Sequence, residues 1–95
     1  MGKKVAVLIK DKTRQYEGLR SSLGLLLDNH IVSMFVLNHE VELTEEYQDN
    51  MGFIDEMEGF RYSNVIENVN KYGFQPVTLE EIALKLKDNE VVIPF

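Results

Sequence analysis

The sequence has no cysteine, only two prolines and two histidines, fewer bases than acids, and no long apolar run. Without a thiol the chain forms no disulfide framework, no thiolate metal site and no thiol nucleophile. The first apolar run, Val5 to Ile9, stops at Lys10, and none approaches the roughly 18 residues of a membrane-spanning helix, so no membrane partner is expected. Met1-Gly2-Lys3-Lys4 has the look of a signal n-region, but the apolar stretch behind it is too short for an h-region, and the expected location is cytoplasmic. Ten Lys and Arg against sixteen Asp and Glu leave a net charge of -6, which opposes attraction to a phosphate backbone and removes nucleic acid from the expected partners. No glycine lies between Ile9 and Gly18, so the close backbone approach of a glycine-rich phosphate loop is missing as well. With no linker, internal repeat or low-complexity tract in 95 residues, a single domain over 1–95 is expected.

What is present is an alternation of apolar runs and amphipathic segments. Val5 to Ile9 reads as a strand, followed by the polar loop Lys10 to Arg14 and a helix from about Glu17 to Asp28 on the stripe Leu19, Leu23, Leu26 and Leu27. Asn29 and His30 close that helix, and Ile31 to Leu37 is a nearly continuous β-prone run, as expected of a strand covered on both faces. Thr44 opens a second helix with Glu45 and Glu46 in its first turn, where carboxylates complement the helix dipole, and its stripe is Tyr47, Met51, Ile54 and Met57. Gly59 to Ser63 alternates apolar and polar and reads as a third, less buried strand. Asn64 with Glu67 has capping-box spacing, ahead of a helix on Val65, Val69 and Tyr72 that ends at Gly73. Phe74 to Val77 is a brief fourth strand that Pro76 assigns to an edge. Thr78-Leu79-Glu80-Glu81 is a capping box with Val77 and Ile82 as its staple, and Leu79, Ile82, Ala83 and Leu86 are expected to face inward until Asp88 and Asn89 stop the helix. Val91 to Phe95 is a last strand. The expected architecture is a three-layer α/β/α sandwich with a mainly parallel sheet of four or five strands.

In such folds ligands bind beyond the carboxyl ends of the strands, and the first and third strands are expected to be neighbours at the switch point. The first loop offers Asp11, Lys12, Thr13 and Arg14 ahead of a helix, a candidate anion site; the second offers Ser63 and Asn64 where a strand turns into a helix. A nucleophilic Ser63 needs a base, for which His39 is the one candidate, since His30 lies at the other end of its strand. No spacing joins the two, so no catalytic residue is assigned and an enzyme is not the expected class. Asp49, Asp55, Glu56 and Glu58 lack the ligand-loop spacing of a cation site and read as a solvated helix face, so no metal and no cofactor are expected. Six of the ten basic residues fall in the first twenty positions, whereas Glu40 to Glu58 holds eight acids and no base. The apolar and aromatic residues of the stretch from Tyr47 to Phe74 mark a candidate protein interface.

The order of elements, Lys4-Val5-Ala6-Val7-Leu8-Ile9, Gly18-Leu19-Arg20 leading into the leucine helix, Val32 to Leu37, and the ending Leu79-Glu80-Glu81-Ile82 through Val92-Ile93-Pro94-Phe95 resemble the DsrE/DsrF-like family of sulfur-relay proteins. The resemblance implies a DsrE-like domain that associates into trimers, hexamers or heteromers with a DsrE-like partner. Active members carry persulfide on a cysteine at the end of a central strand; the corresponding stretch here is Phe60-Arg61-Tyr62-Ser63-Asn64, which has no thiol. The expected function is therefore a non-catalytic scaffold or partner subunit linked to sulfur metabolism without persulfide carriage. The alternative is a protein that binds a small anion or nucleotide through the loop after the first strand and the end of the third.

Overall fold

The computed structural model describes residues 2–95. Five strands, β1 (Lys4–Ile9), β2 (Ile31–Val36), β3 (Phe60–Ser63), β4 (Gln75–Pro76) and β5 (Val91–Pro94), alternate with helices α1 (Gln15–Leu27), α2 (Glu45–Glu56), α3 (Ile66–Tyr72) and α4 (Leu79–Lys87). The sheet is parallel throughout, in the order β4-β3-β2-β1-β5. The chain steps outward from β1 to β4, and α4 then carries it back to the far side of β1. The expectation that β1 and β3 are neighbours is therefore corrected: β2 lies between them, and the strand order reverses between β1 and β5.

Each face of the central strands has its own core. On one side Val5, Val7 and Ile9 of β1 with Val32, Met34 and Val36 of β2 pack under Leu19 and Leu26 of α1, Tyr47, Met51 and Ile54 of α2, and the half-buried Val69 and Tyr72 of α3. On the other side Ala6, Leu8, Phe35 and Leu37 meet Val77, Ile82 and Leu86, so α4 is the one helix of that layer.

Local chemistry sets the ends of these elements. The Asp11 carboxylate accepts from the Thr13 backbone at 2.9 Å and caps a 3-10 turn over Lys12–Arg14, which starts the helical path before the expected Glu17. Helix α1 closes with Asn29 left-handed at φ 65°, its N–H donating to Leu26 and that of His30 to Leu25. Helix α2 ends the same way on Glu58 at φ 64°, with Gly59 donating to Ile54. Gly59 fits because a Cβ there would come within 2.8 Å of both Ile54 and Leu26. The Thr78/Glu81 capping box forms as expected, and its staple residues Val77 and Ile82 are both buried.

Three local expectations are corrected. Leu27, Leu79 and Ala83 face solvent rather than the core. Asn64 does not cap α3; Val65 holds that position without a side-chain cap, because the Asn64 amide is engaged by a neighbouring loop. Strand β3 turns its polar residues inward: Arg61 and Ser63 are buried on the α1/α2 side, while Phe60 is 42% exposed on the α4 side. No helix among the described residues is long and apolar enough to cross a membrane.

Candidate functional site

Beyond the carboxyl end of β1, the backbone of Lys10 and Asp11 donates to the Phe95 carbonyl at 2.8 and 3.3 Å, which ties the first loop to the end of β5. Within the loop Asp11 also accepts from the Thr13 hydroxyl at 2.6 Å. That side-chain bond, followed by the Thr13 backbone N–H, holds the Asp11 carboxyl below its ordinary range. Arg14 is paired with Glu17 at 3.1 Å and lies 5.0 Å from the centre of the Phe95 ring. Asp11, Thr13 and Arg14 are thus engaged by one another and by their neighbours. Lys12, with Lys10 beside it, has no carboxylate within 4.0 Å among the described residues.

The loop after β2 brings His39 toward these lysines. Its Nδ1 lies 3.0 Å from the Leu37 carbonyl, which can only accept, so Nδ1 is the donor in that bond. Nε2 is buried and has no hydrogen-bond partner among the described residues. Burial is the main cause that lowers the His39 pKa, and the charge of Lys12 adds to it, while the Leu37 carbonyl works in the opposite direction.

At the end of β3, Ser63 is 1% exposed. Its hydroxyl donates to the Val36 carbonyl at 2.7 Å and accepts from the Val65 N–H at 3.1 Å and from Asn68 Nδ2 at 3.0 Å. One donor and two acceptor sites are all a hydroxyl has, so none is left for a substrate or a base. No hydrogen bond joins Ser63 to His39, and the nucleophile and base pairing does not form. Asn64 accepts from the Asn38 backbone and donates to the Asn38 side chain, both at 2.9 Å, holding Asn38 at φ 67°. The structure therefore joins Asn64 to the β2 loop and keeps Ser63 inside; the Asp11 to Arg14 loop is hydrogen-bonded to neither.

Two residues that the sequence reading passed over organise this edge. Asn68, at 0% exposure, accepts from the Val41 N–H at 2.8 Å and donates to the His39 carbonyl at 2.9 Å as well as to Ser63. The signal was present: Asn68 stands three residues after Val65 and four before Tyr72, on the inward stripe of α3. Arg61, 8% exposed, holds the Asp55 carboxylate at 2.8 and 2.9 Å, donates to the Tyr72 carbonyl at 2.9 Å and stacks 4.8 Å from the Phe74 ring centre. It joins α2, β3 and the end of α3 in one contact set, lining a cleft with Leu43, Gln48 and Lys71.

Among the described residues no group of three or more His, Asp or Glu is placed to hold a metal ion. No family model, curated protein or solved structure matches the chain.

Proposed function

We propose that this chain is a non-catalytic assembly subunit on a DsrE-like scaffold, associating with copies of itself as a trimer or hexamer or with a DsrE-like partner, in sulfur metabolism but without persulfide carriage. One observation carries the reading: Ser63, Asn64 and Asn68 at the end of β3 spend hydrogen bonds on the chain's own groups, while large apolar side chains stay in water. Ser63 is saturated within the fold, both amide donors of Asn68 are spent there, and a serine in the stretch where the resembling family places its thiol stores no sulfane sulfur. Outside, Phe53 on α2 and Met57 just past its end are exposed, and Phe60 and Ile31 are exposed on the α4 side of the sheet. Apolar surface of this kind marks contact with another molecule when it is contiguous.

Light scattering on the purified chain tests the reading. The expected mass exceeds the 11.0 kDa of one chain in the micromolar range. A strictly monomeric protein over that range overturns self-assembly, and a DsrE-like, cysteine-bearing protein co-purifying from the native cell would support the heteromeric form.

A second reading, binding of a small anion or nucleotide at the first loop, is favoured by Lys10 and Lys12, whose ammonium groups have no carboxylate within 4.0 Å among the described residues, with His39 close enough to feel the Lys12 charge. Phosphate, sulfate, sulfite, thiosulfate and nucleotides are the probes, and a rise in melting temperature that Lys12→Ala abolishes is the expected result. Absence of any shift removes this reading.

A further inference from the structure

The two faces of the sheet are unequally covered. Five strands spaced by about 4.8 Å make a face about 19 Å across, and helices pack about 8–10 Å apart, so about two helices cover one face. Helices α1 and α2, with the short α3 beside them, do so on one side, whereas among the described residues α4 stands alone on the other. Beside α4 the amino-terminal ends of β2 and β3 are left open, with Ile31 51% and Phe60 42% exposed in a cleft of about 160 Å³. Lys4 and Lys85 flank the cleft together with Asp88, and the Lys85 ammonium lies 4.7 Å from the Tyr62 ring centre. Neither lysine has a carboxylate within 4.0 Å among the described residues.

The outer surface of α4 is complementary to this trough. Leu84 is 64% exposed and stands two residues, about 200° of helix rotation, from both Ile82 and Leu86, which places it directly away from the sheet. Glu80, one turn before it, shares its stripe, and Asp88, one turn after it at the end of the helix, lies between stripe and trough; neither has a cationic partner within 4.0 Å among the described residues. A leucine flanked by two acids thus projects from the same face that holds a lysine-flanked apolar trough.

We infer that this face pairs with a second copy of the chain about a two-fold axis, the partner's α4 supplying the helix each sheet lacks. Leu84 of each copy fills the Ile31 and Phe60 trough of the other, and Glu80 and Asp88 meet Lys4 and Lys85. Because trough and stripe lie on one face, the contact is isologous and closes on itself, making a dimer or the two-fold contact of a hexamer. The inference rests on the self-assembly reading above.

Sedimentation velocity on the full chain and three variants tests it, with far-UV circular dichroism and the melting temperature as controls for folding. Leu84→Glu is expected to weaken association at the two-fold contact by more than about 30-fold, as for a central interface residue. Leu27→Glu, an equally exposed position on α1 on the opposite face, is expected to keep the wild-type mass. Leu84→Ala, which adds no charge, is expected to give an intermediate loss and guards against a folding defect in the glutamate variant. Association that survives both Leu84 substitutions in folded protein overturns the two-fold contact while leaving self-assembly standing. A monomeric wild type overturns both.

Discussion

Replacing Asn68 with alanine removes the amide that joins α3, the loop after β2 and the end of β3. Two backbone groups lose their partner: the Val41 N–H, in a buried bond of 2.8 Å, and the His39 carbonyl, in a partly buried one of 2.9 Å. Ser63 keeps Val36 and Val65 and loses only its third contact. An unsatisfied buried group costs about 1–3 kcal/mol, with the carbonyl near the lower end because water can approach it. The small void adds about 1 kcal/mol. The expected loss is about 3–4 kcal/mol out of the roughly 5–15 kcal/mol that holds a domain of this size. In melting temperature this is a fall of about 12–30 °C. Urea unfolding followed by circular dichroism measures it, with the slope of the transition unchanged. Asn68→Asp separates hydrogen bonding from packing, since it keeps the shape and the acceptor for Val41 but turns a carboxylate toward the His39 carbonyl. Burial beside an acceptor raises that carboxyl's folded pKa, so the variant is least impaired below about pH 4 and loses stability as pH rises above the unfolded value. A loss below about 1 kcal/mol for Asn68→Ala, or a pH-independent deficit for Asn68→Asp, would refute the assignment of Asn68 as the joint of this edge.

Asp55→Asn is expected to destabilise more than Arg61→Met: the first leaves a guanidinium that is 8% exposed without its carboxylate, whereas the second releases a half-exposed Asp55 to water. Exposure of Asp55 keeps the larger of the two losses to about 2–3 kcal/mol, and equal or reversed losses in urea unfolding would contradict the geometry. Glu58→Gly relieves a left-handed residue at φ 64° and is expected to raise stability by up to about 1 kcal/mol, read as a higher melting temperature. His39 has a folded-state pKa below its ordinary value of 6.5, so its contribution is complete above that value and is lost as pH falls and the unfolded chain takes up the proton. His39→Gln should therefore flatten the decline of stability between about pH 7 and pH 5, and an unchanged pH profile would remove His39 as its source. Because the chain has no thiol of its own, Ser63→Cys and Asn64→Cys can be compared cleanly with a thiol reagent; the partly buried position 64 is expected to react faster than the buried position 63.

The extent to which this architecture was legible varies with how local its causes are. The runs in β1 and β2, the Thr78 capping box and the edge role of Pro76 are set by neighbours in sequence, and each element formed where its pattern indicated. Which face a residue takes is a different matter. An alternating strand such as Phe60 to Ser63 reads the same in either orientation, and only the three-dimensional setting turned Arg61 and Ser63 inward, because Asp55, Tyr72 and Val36 supply their partners there. Asn64 had two uses open to it, capping α3 or holding Asn38, and the long-range partner prevailed. The neighbours of β1 depend on where α4 recrosses the sheet, and no local pattern carries that information. Leu79 and Ala83 lie on the flank of α4 and would be buried under a second helix, but α4 is alone in its layer.

That solitary helix links the site to the proposed role. A strand end whose serine is enclosed and whose loop asparagines clamp one another offers a reacting group neither a free hydroxyl nor a thiol, so under the proposed reading any sulfur chemistry at this edge is brought by another chain. The surface has the opposite character: on the α4 face Lys4, Lys85, Glu80 and Asp88 have no oppositely charged partner within 4.0 Å among the described residues, and Leu84, Ile31 and Phe60 are exposed. A monomer gains nothing from placing Leu84 in water between two acids, since apolar exposure there only raises the risk of unspecific association. The same arrangement becomes productive when a second face of the same kind meets it, because the acids then fix the register and the leucine supplies buried area at the centre. Under the proposed reading, polar groups hold the fold at the carboxyl edge, and the α4 face is where the molecule makes its contacts.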